Sequence, residues 1–276
     1  MAPPLLAASI TPLRDGGATL DEPAIAPLVR HLRGGGVDGI FCCGTTGEGV
    51  MLTLDERQRA AAAFRSACDG NLIVHCGAQT TAETVSLCQH AAAIGADGVA
   101  VIPPPYYALT EDEQVEHFVA AASACVPLPF YMYAFTARSG YPLSVEVIGR
   151  VRERIPNLAG LKVSEQPFDV VAPYLELGLR VYVGNEPLIP QALTAGAYGS
   201  VSGLASAFPG EVARLLRQPT AENADRVRTL RDALGGVTFV AAVKWVLKHH
   251  GLPIESDMRA PLRPISAEHA ARLATL

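Results

Sequence analysis

The stretch Gly95-Ala-Asp-Gly-Val99 has a near copy, Gly36-Val-Asp-Gly-Ile40, earlier in the chain. In each, a helix-period segment ends on glycine and an apolar run begins within a few residues, which is the helix-to-strand joint of a βαβ unit. Outward from this pair the same alternation covers most of the sequence. Short apolar runs occur at Leu5–Ile10, Gly39–Cys42, Leu72–His75, Gly98–Ile102, Pro129–Tyr133, Leu158–Val163, Arg180–Val183 and Gly199–Val201. Their length and unbroken apolar character are those of parallel strands buried on both faces.

Between the runs lie helical segments at Asp21–Arg33, Leu54–Cys68, Thr81–Ile94, Glu111–Ala124 and Ser144–Arg154. Thr53 with Glu56, and Thr110 with Glu113, have the spacing of capping boxes. Eight strands alternating with helices predict a (β/α)8 TIM barrel. A doubly wound sheet would carry a Gly-rich phosphate loop after its first strand; here Ser9-Ile-Thr-Pro-Leu13 follows. From Pro209 onward the helical period of Ala221–Leu234 and Thr238–His250 predicts a C-terminal helical extension. No linker separates the parts, so 1–276 reads as one domain, with the barrel over 1–208 and the packed helices over 209–276.

Bulk composition narrows the partners. Hydrophobic residues make up 49% of the 276 and charged residues 18%, enough for a large core and unlike a disordered chain. With a net charge of −5 and no basic run, a nucleic-acid footprint is not expected. The start, Met1-Ala-Pro-Pro-Leu-Leu6, lacks the charged and apolar regions of a signal peptide, and no long apolar stretch spans a membrane. A cytoplasmic protein is the expectation. The six cysteines, Cys42, Cys43, Cys68, Cys76, Cys88 and Cys125, form no CxxC pair and read as reduced thiols. No metal site is expected from them, and His75 and Cys76 read as packing residues.

In a barrel the chemistry gathers at the C-terminal ends of the strands. Lys162 stands at such an end, inside the apolar Leu158-Ala-Gly-Leu-Lys-Val163. The chain has only two other lysines, Lys244 and Lys248, on a late helix where both are expected to be solvated. Burying an ammonium favours its neutral form, and a neutral amine attacks a carbonyl to give an imine. A lysine reaching out of the strand end, or paired with Glu165, fits the pattern equally. The turn Gly44-Thr45-Thr46-Gly47 offers backbone N–H groups and two hydroxyls, which makes either a small carboxylate pocket or an ordinary tight turn. Tyr133 closes the neighbouring strand and reads as a proton shuttle or a core tyrosine. Arg138 reads as an anion clamp or an exposed loop residue. Glu48 reads as a structural residue at a helix start, and Trp245 as core.

These residues resemble the dihydrodipicolinate synthase / N-acetylneuraminate lyase family of class I pyruvate aldolases. The matching pieces are Gly44-Thr-Thr-Gly-Glu48, Pro105-Tyr-Tyr107, Tyr133 with Arg138-Ser-Gly140, Gly160-Leu-Lys162, and Gly184 followed by Gly196-Ala-Tyr-Gly199-Ser-Val201, in the family's order over nearly the whole chain. The resemblance implies an imine on Lys162, a proton relay through Tyr133 and Thr45, and a pyruvate carboxylate held by the Gly44 turn with Thr45 and Thr46. It also implies a Tyr107 that reaches the relay of a neighbouring subunit, hence a homodimer or homotetramer. Arg138 would hold a second carboxylate, and Gly184 and Val201 would line the pyruvate pocket. No metal or organic cofactor is implied, because the imine is the electron sink.

The chain departs from the family at Tyr133-Ala-Phe-Thr-Ala-Arg-Ser-Gly140, where the synthases usually read Tyr-Asn-Val-Pro-x-Arg-Thr-Gly. The implied reaction is condensation or cleavage between a 2-oxo acid and an aldehyde. The altered loop leaves open 4-hydroxy-tetrahydrodipicolinate synthesis itself, dehydration of a 2-oxo-3-deoxy sugar acid, and a non-catalytic 2-oxo-acid-binding paralogue. Leu54 and Arg57 stand where many bacterial synthases carry feedback-site histidines, so lysine inhibition is not expected.

Overall fold

A computed structural model describes residues 2–276. Eight parallel strands close into a barrel: β1 Leu5–Ala8, β2 Gly39–Cys42, β3 Asn71–His75, β4 Gly98–Val101, β5 Phe130–Ala134, β6 Leu158–Val163, β7 Arg180–Val183 and β8 Gly199–Ser202. Each strand pairs with its sequence neighbours, and β8 returns to β1 through Leu5 beside Ser200 and Leu6 beside Val201. Closure leaves no free edge. The predicted strands are all present, with ends shifted by a residue or two, as is usual where hydrogen-bonded pairing stops before the apolar run does.

Alternation along the strands divides the core in two. One set of side chains, including Leu6, Phe41, Ile73, Ala100, Tyr131, Tyr133, Tyr182 and Val201, fills the barrel interior. The other set packs outward beneath the ring of helices. The main ring helices are α1 Ile25–Gly34, α2 Leu54–Ala67, α3 Thr81–Ala93, α4 Glu111–Ser123, α6 Val145–Arg152, α7 Phe168–Leu175, α8 Ile189–Thr194 and α9 Pro209–Arg217, with a single-turn helix α5 at Thr136–Ser139. Both expected capping boxes form. Thr53 Oγ1 accepts from Glu56 N at 3.2 Å while Glu56 Oε2 accepts from Thr53 N at 2.9 Å, and Thr110 with Glu113 repeats the exchange.

Two expectations are corrected. Helix α9 lies against β1 and β8 as the barrel's own eighth helix, so the extension begins after Arg217 rather than at residue 209. It comprises α10 Ala221–Ala233, α11 Phe239–His249 and α12 Ala267–Leu273. Second, Lys244 is not solvated: it is fully buried on α11, with Nζ 2.5 Å from Glu48 Oε1 and donating to Asp257 O at 2.7 Å. Helical geometry puts it on one face with Val240, Val243 and Leu247, all buried. Lys248 is exposed and pairs with Glu255. All six cysteines are free and buried. Among the described residues, no helix is long and apolar enough to cross a membrane.

The Thr53 cap starts α2 directly beyond the Gly44–Glu48 turn. Thr53→Ala is expected to lower unfolding free energy by about 1 kcal/mol, measured by urea denaturation with an unchanged slope.

Candidate active site

Strand register sets the first contact. Tyr133 on β5 and Tyr182 on β7 are the register neighbours of Lys162 on β6; the Tyr133 ring faces the amine, while the Tyr182 ring packs against Tyr131 and Tyr198. Lys162 is 5% exposed, and its Nζ lies 4.1 Å from the ring centroids of both Phe41 and Tyr133. Glu165, the acid nearest in sequence, is engaged elsewhere. Its Oε1 accepts from Thr136 N at 2.7 Å and from Thr136 Oγ1 at 2.9 Å.

The amine faces a cavity of about 560 Å³ at the C-terminal mouth of the barrel. Thr45 and Thr46 enter it from the turn after β2, Arg138 from α5, Gly184 from the end of β7 and Val201 from β8. Tyr133 and Lys162 form its floor. Thr45 Oγ1 is 3.5 Å from the Tyr133 hydroxyl, so the relay pair meets. A Cβ at Gly184 would fall 2.1 Å from Ser164 Oγ, so that hydroxyl would have to turn away to admit one.

Two predicted residues sit apart from this cavity. Gly44 does not line it; a Cβ at Gly44 would meet Phe41 Cε1 at 2.6 Å, so the glycine makes room for the ring behind Lys162. Tyr107 is 74% exposed, on the loop after β4, and packs edge-on against Tyr106 at 5.0 Å between centroids. It does not line the cavity of its own chain.

Other lining residues escaped the sequence reading. Arg231 of α10, together with Thr238, Phe239 and Val240, covers one side of the mouth. Arg231 stacks on Phe239 at 4.2 Å and pairs at 3.2 Å with Glu186. Glu186 is 1% exposed and accepts from Ser202 Oγ at 2.7 Å and Leu204 N at 2.9 Å. Its place directly after Gly184-Asn185 at a strand end was a usable signal. Arg231 had none, since it lies far along the chain on a separate helix. Thr136 stands where the family usually has proline, and its N–H bond to Glu165 is one that proline cannot make.

His75 lies in the barrel interior, its ring edge-on to Tyr133 at 5.9 Å. Nδ1 sits 3.2 Å from Cys43 O, which can only accept, so Nδ1 carries the proton. Burial, aided by the charges of Arg57 and Lys162, holds this imidazole well below its ordinary value. It therefore adds no positive charge beside the amine. His75 is consistent with packing, as expected. Among the described residues no group of three or more His, Cys, Asp or Glu side chains is placed to hold a metal ion.

A sequence model of the dihydrodipicolinate synthetase family matches residues 3–276. The 4-hydroxy-tetrahydrodipicolinate synthase of Thermus thermophilus is 32% identical over 275 residues, covering 95% of this chain and 91% of that protein. Among solved structures, Proteus mirabilis N-acetylneuraminate lyase superposes with a TM-score of 0.89 at 28% identity, covering 99% of this chain and 96% of that one. Dihydrodipicolinate synthase from Aquifex aeolicus superposes with a TM-score of 0.90 at 26% identity, covering 100% and 96%.

The depressed value of His75 has a linkage consequence. The unfolded chain takes up a proton near pH 6.5 that the folded protein refuses, so the contribution is fully present above that pH and lost as pH falls below it. Between about pH 6.5 and 5, His75→Asn is expected to show a shallower fall of unfolding free energy than the parent protein, measured by denaturant titration at each pH.

Proposed function

Because the chain belongs to the dihydrodipicolinate synthetase family, whose members are class I lyases and aldolases, we propose that it makes or breaks a carbon–carbon bond between a 2-oxo acid such as pyruvate and an aldehyde, through an imine on Lys162. The observation that carries this reading is the amine itself: a nearly buried Nζ on the floor of a cavity, backed by two aromatic rings and beside a phenol.

The steps are those of imine chemistry at a lysine. Lys162 adds to the 2-oxo carbon, and loss of water leaves a protonated imine. Loss of a proton from the adjacent carbon gives an enamine, whose carbon attacks the aldehyde; hydrolysis of the imine then releases product. Cleavage runs the same steps backward. The Tyr133 hydroxyl, within reach of Thr45 Oγ1 at 3.5 Å, is suited to carry protons among these species. Thr46 and the neighbouring turn are suited to hold the 2-oxo acid's carboxylate, with Gly184 and Val201 shaping the pocket around it. Arg138 at the rim is suited to an anionic group on the second substrate. The protonated imine supplies the electron sink, so the reading calls for no metal or organic cofactor.

The exposed Tyr106 and Tyr107 support an assembly in which Tyr107 reaches a neighbouring subunit's relay, making the working form a homodimer or homotetramer. A cytoplasmic location is part of the same reading.

Borohydride in the presence of pyruvate is expected to leave a reduced adduct on the Lys162 peptide, seen by mass spectrometry. Lys162→Ala is expected to abolish both adduct and turnover, and Tyr133→Phe to lower kcat by about 100-fold or more. Failure of the folded parent protein to trap pyruvate or any other 2-oxo acid would overturn the proposal.

A further inference from the structure

Glu48 and Lys244 form a buried ion pair that the chemistry above does not use. Their side chains are 1% and 0% exposed, 2.5 Å apart, and neither lines the cavity. The rest of each head group is also engaged: Glu48 Oε2 accepts from Arg259 N at 2.9 Å, and Lys244 Nζ donates to Asp257 O at 2.7 Å. Burial lowers the Lys244 amine from its ordinary value, and the Glu48 carboxylate works against that shift.

Glu48 is the last residue of the turn that presents Thr45 and Thr46. Its backbone is left-handed, with φ of 54°, a conformation that disfavours any side chain except glycine's hydrogen. Glycine would fit there without strain, so the carboxylate must return more than its backbone costs. The turn is fixed around it. Thr11 Oγ1 donates to Gly47 O at 2.7 Å, Glu48 N donates to Thr45 O at 3.2 Å, and Gly49 admits no side chain because a Cβ would fall 1.8 Å from Cys43 O. Such a turn has little freedom, and the position of its carboxylate end sets the position of its threonines. Removing one partner of a buried pair leaves a charge that must be neutralised or re-solvated, and here the motion that relieves it passes through Thr45 and Thr46.

We propose that the Glu48–Lys244 pair is a positioning element. Acting from the C-terminal extension, it sets the Thr45–Thr46 turn at the height needed to receive the carboxylate of a 2-oxo acid. The inference rests on the function proposed above. It predicts selective damage: affinity for a ketone bearing a carboxylate falls, while imine formation with a ketone lacking one does not.

The test measures borohydride labelling of Lys162 at increasing pyruvate or hydroxyacetone in the parent protein, Glu48→Gln, Lys244→Met and the charge-free double variant. Glu48→Gln keeps the shape and an acceptor for Arg259 N, so it is the decisive single change. It is expected to raise the pyruvate concentration for half-labelling by about tenfold and to leave that for hydroxyacetone unchanged. The double variant is expected to recover part of the loss, because no buried charge remains unpaired. In turnover, KM for pyruvate is expected to rise, and kcat to fall as well, because the same motion loosens the Thr45–Tyr133 contact. Equal shifts for both ketones, or none for either, overturn the inference, as does a Glu48→Gln protein that fails to fold, since the pair would then hold the fold and not the turn. A parent protein that labels with neither ketone overturns the proposed function itself.

Discussion

A primary amine enclosed with aromatic rings inside a closed barrel is the arrangement to which its neighbours in this molecule conform. Phe41 and Tyr133 hold the amine at 4.1 Å from their ring centroids, which fixes where it meets a carbonyl. Keeping that environment also constrains the glycines and the histidine around it. Gly44 must lack a side chain because the Phe41 ring occupies the space, and a side chain at Gly184 would displace the Ser164 hydroxyl. His75 stays neutral, which spares the amine a charged neighbour. Parallel closure supplies the frame, since adjacent strands in register bring Tyr133 beside Lys162.

The mouth of the barrel is not built by the barrel alone. Two buried carboxylates brace its walls, Glu48 under the turn after β2 and Glu186 beneath the end of β8, and each is met by a cation from the C-terminal helices. Such pairs contribute little net stability when intact and a large penalty when halved. Both pairs join a strand-end turn to the helical layer packed across it.

Much of this was legible in the residues. Alternating apolar runs and helical segments led to eight strands and a barrel, because period and length distinguish buried parallel strands from helices. Lys162, Tyr133, Thr45, Thr46, Arg138, Gly184 and Val201 stand at strand ends or just beyond, and strand ends in a barrel converge on one mouth. Three features resisted that logic. Lys244 reads as solvated from its charge, and only its place on an apolar helical face points to burial. Gly44 reads as part of a carboxylate turn, and no local pattern shows that it also leaves room for the ring behind the lysine. Arg231 and Phe239 reach the mouth through tertiary packing of the extension, and no local pattern encodes where a later helix comes to rest. The boundary at Pro209 failed for a related reason, since helical period does not say whether a helix closes the ring or lies outside it.

The bond between Thr136 and Glu165 has an evolutionary reading. Two donors from one residue converge on a single oxygen of a carboxylate that is 7% exposed. A proline at 136 removes both donors and strands the acid, while an apolar residue at 165 leaves the threonine's groups unmatched in a half-buried loop. Each single step therefore crosses a deficit that the paired change avoids, which is the signature of sign epistasis between contacting positions. Diversification of this rim should proceed by linked substitutions at 136 and 165, and a library that varies them one at a time would miss the loops that lie on the far side.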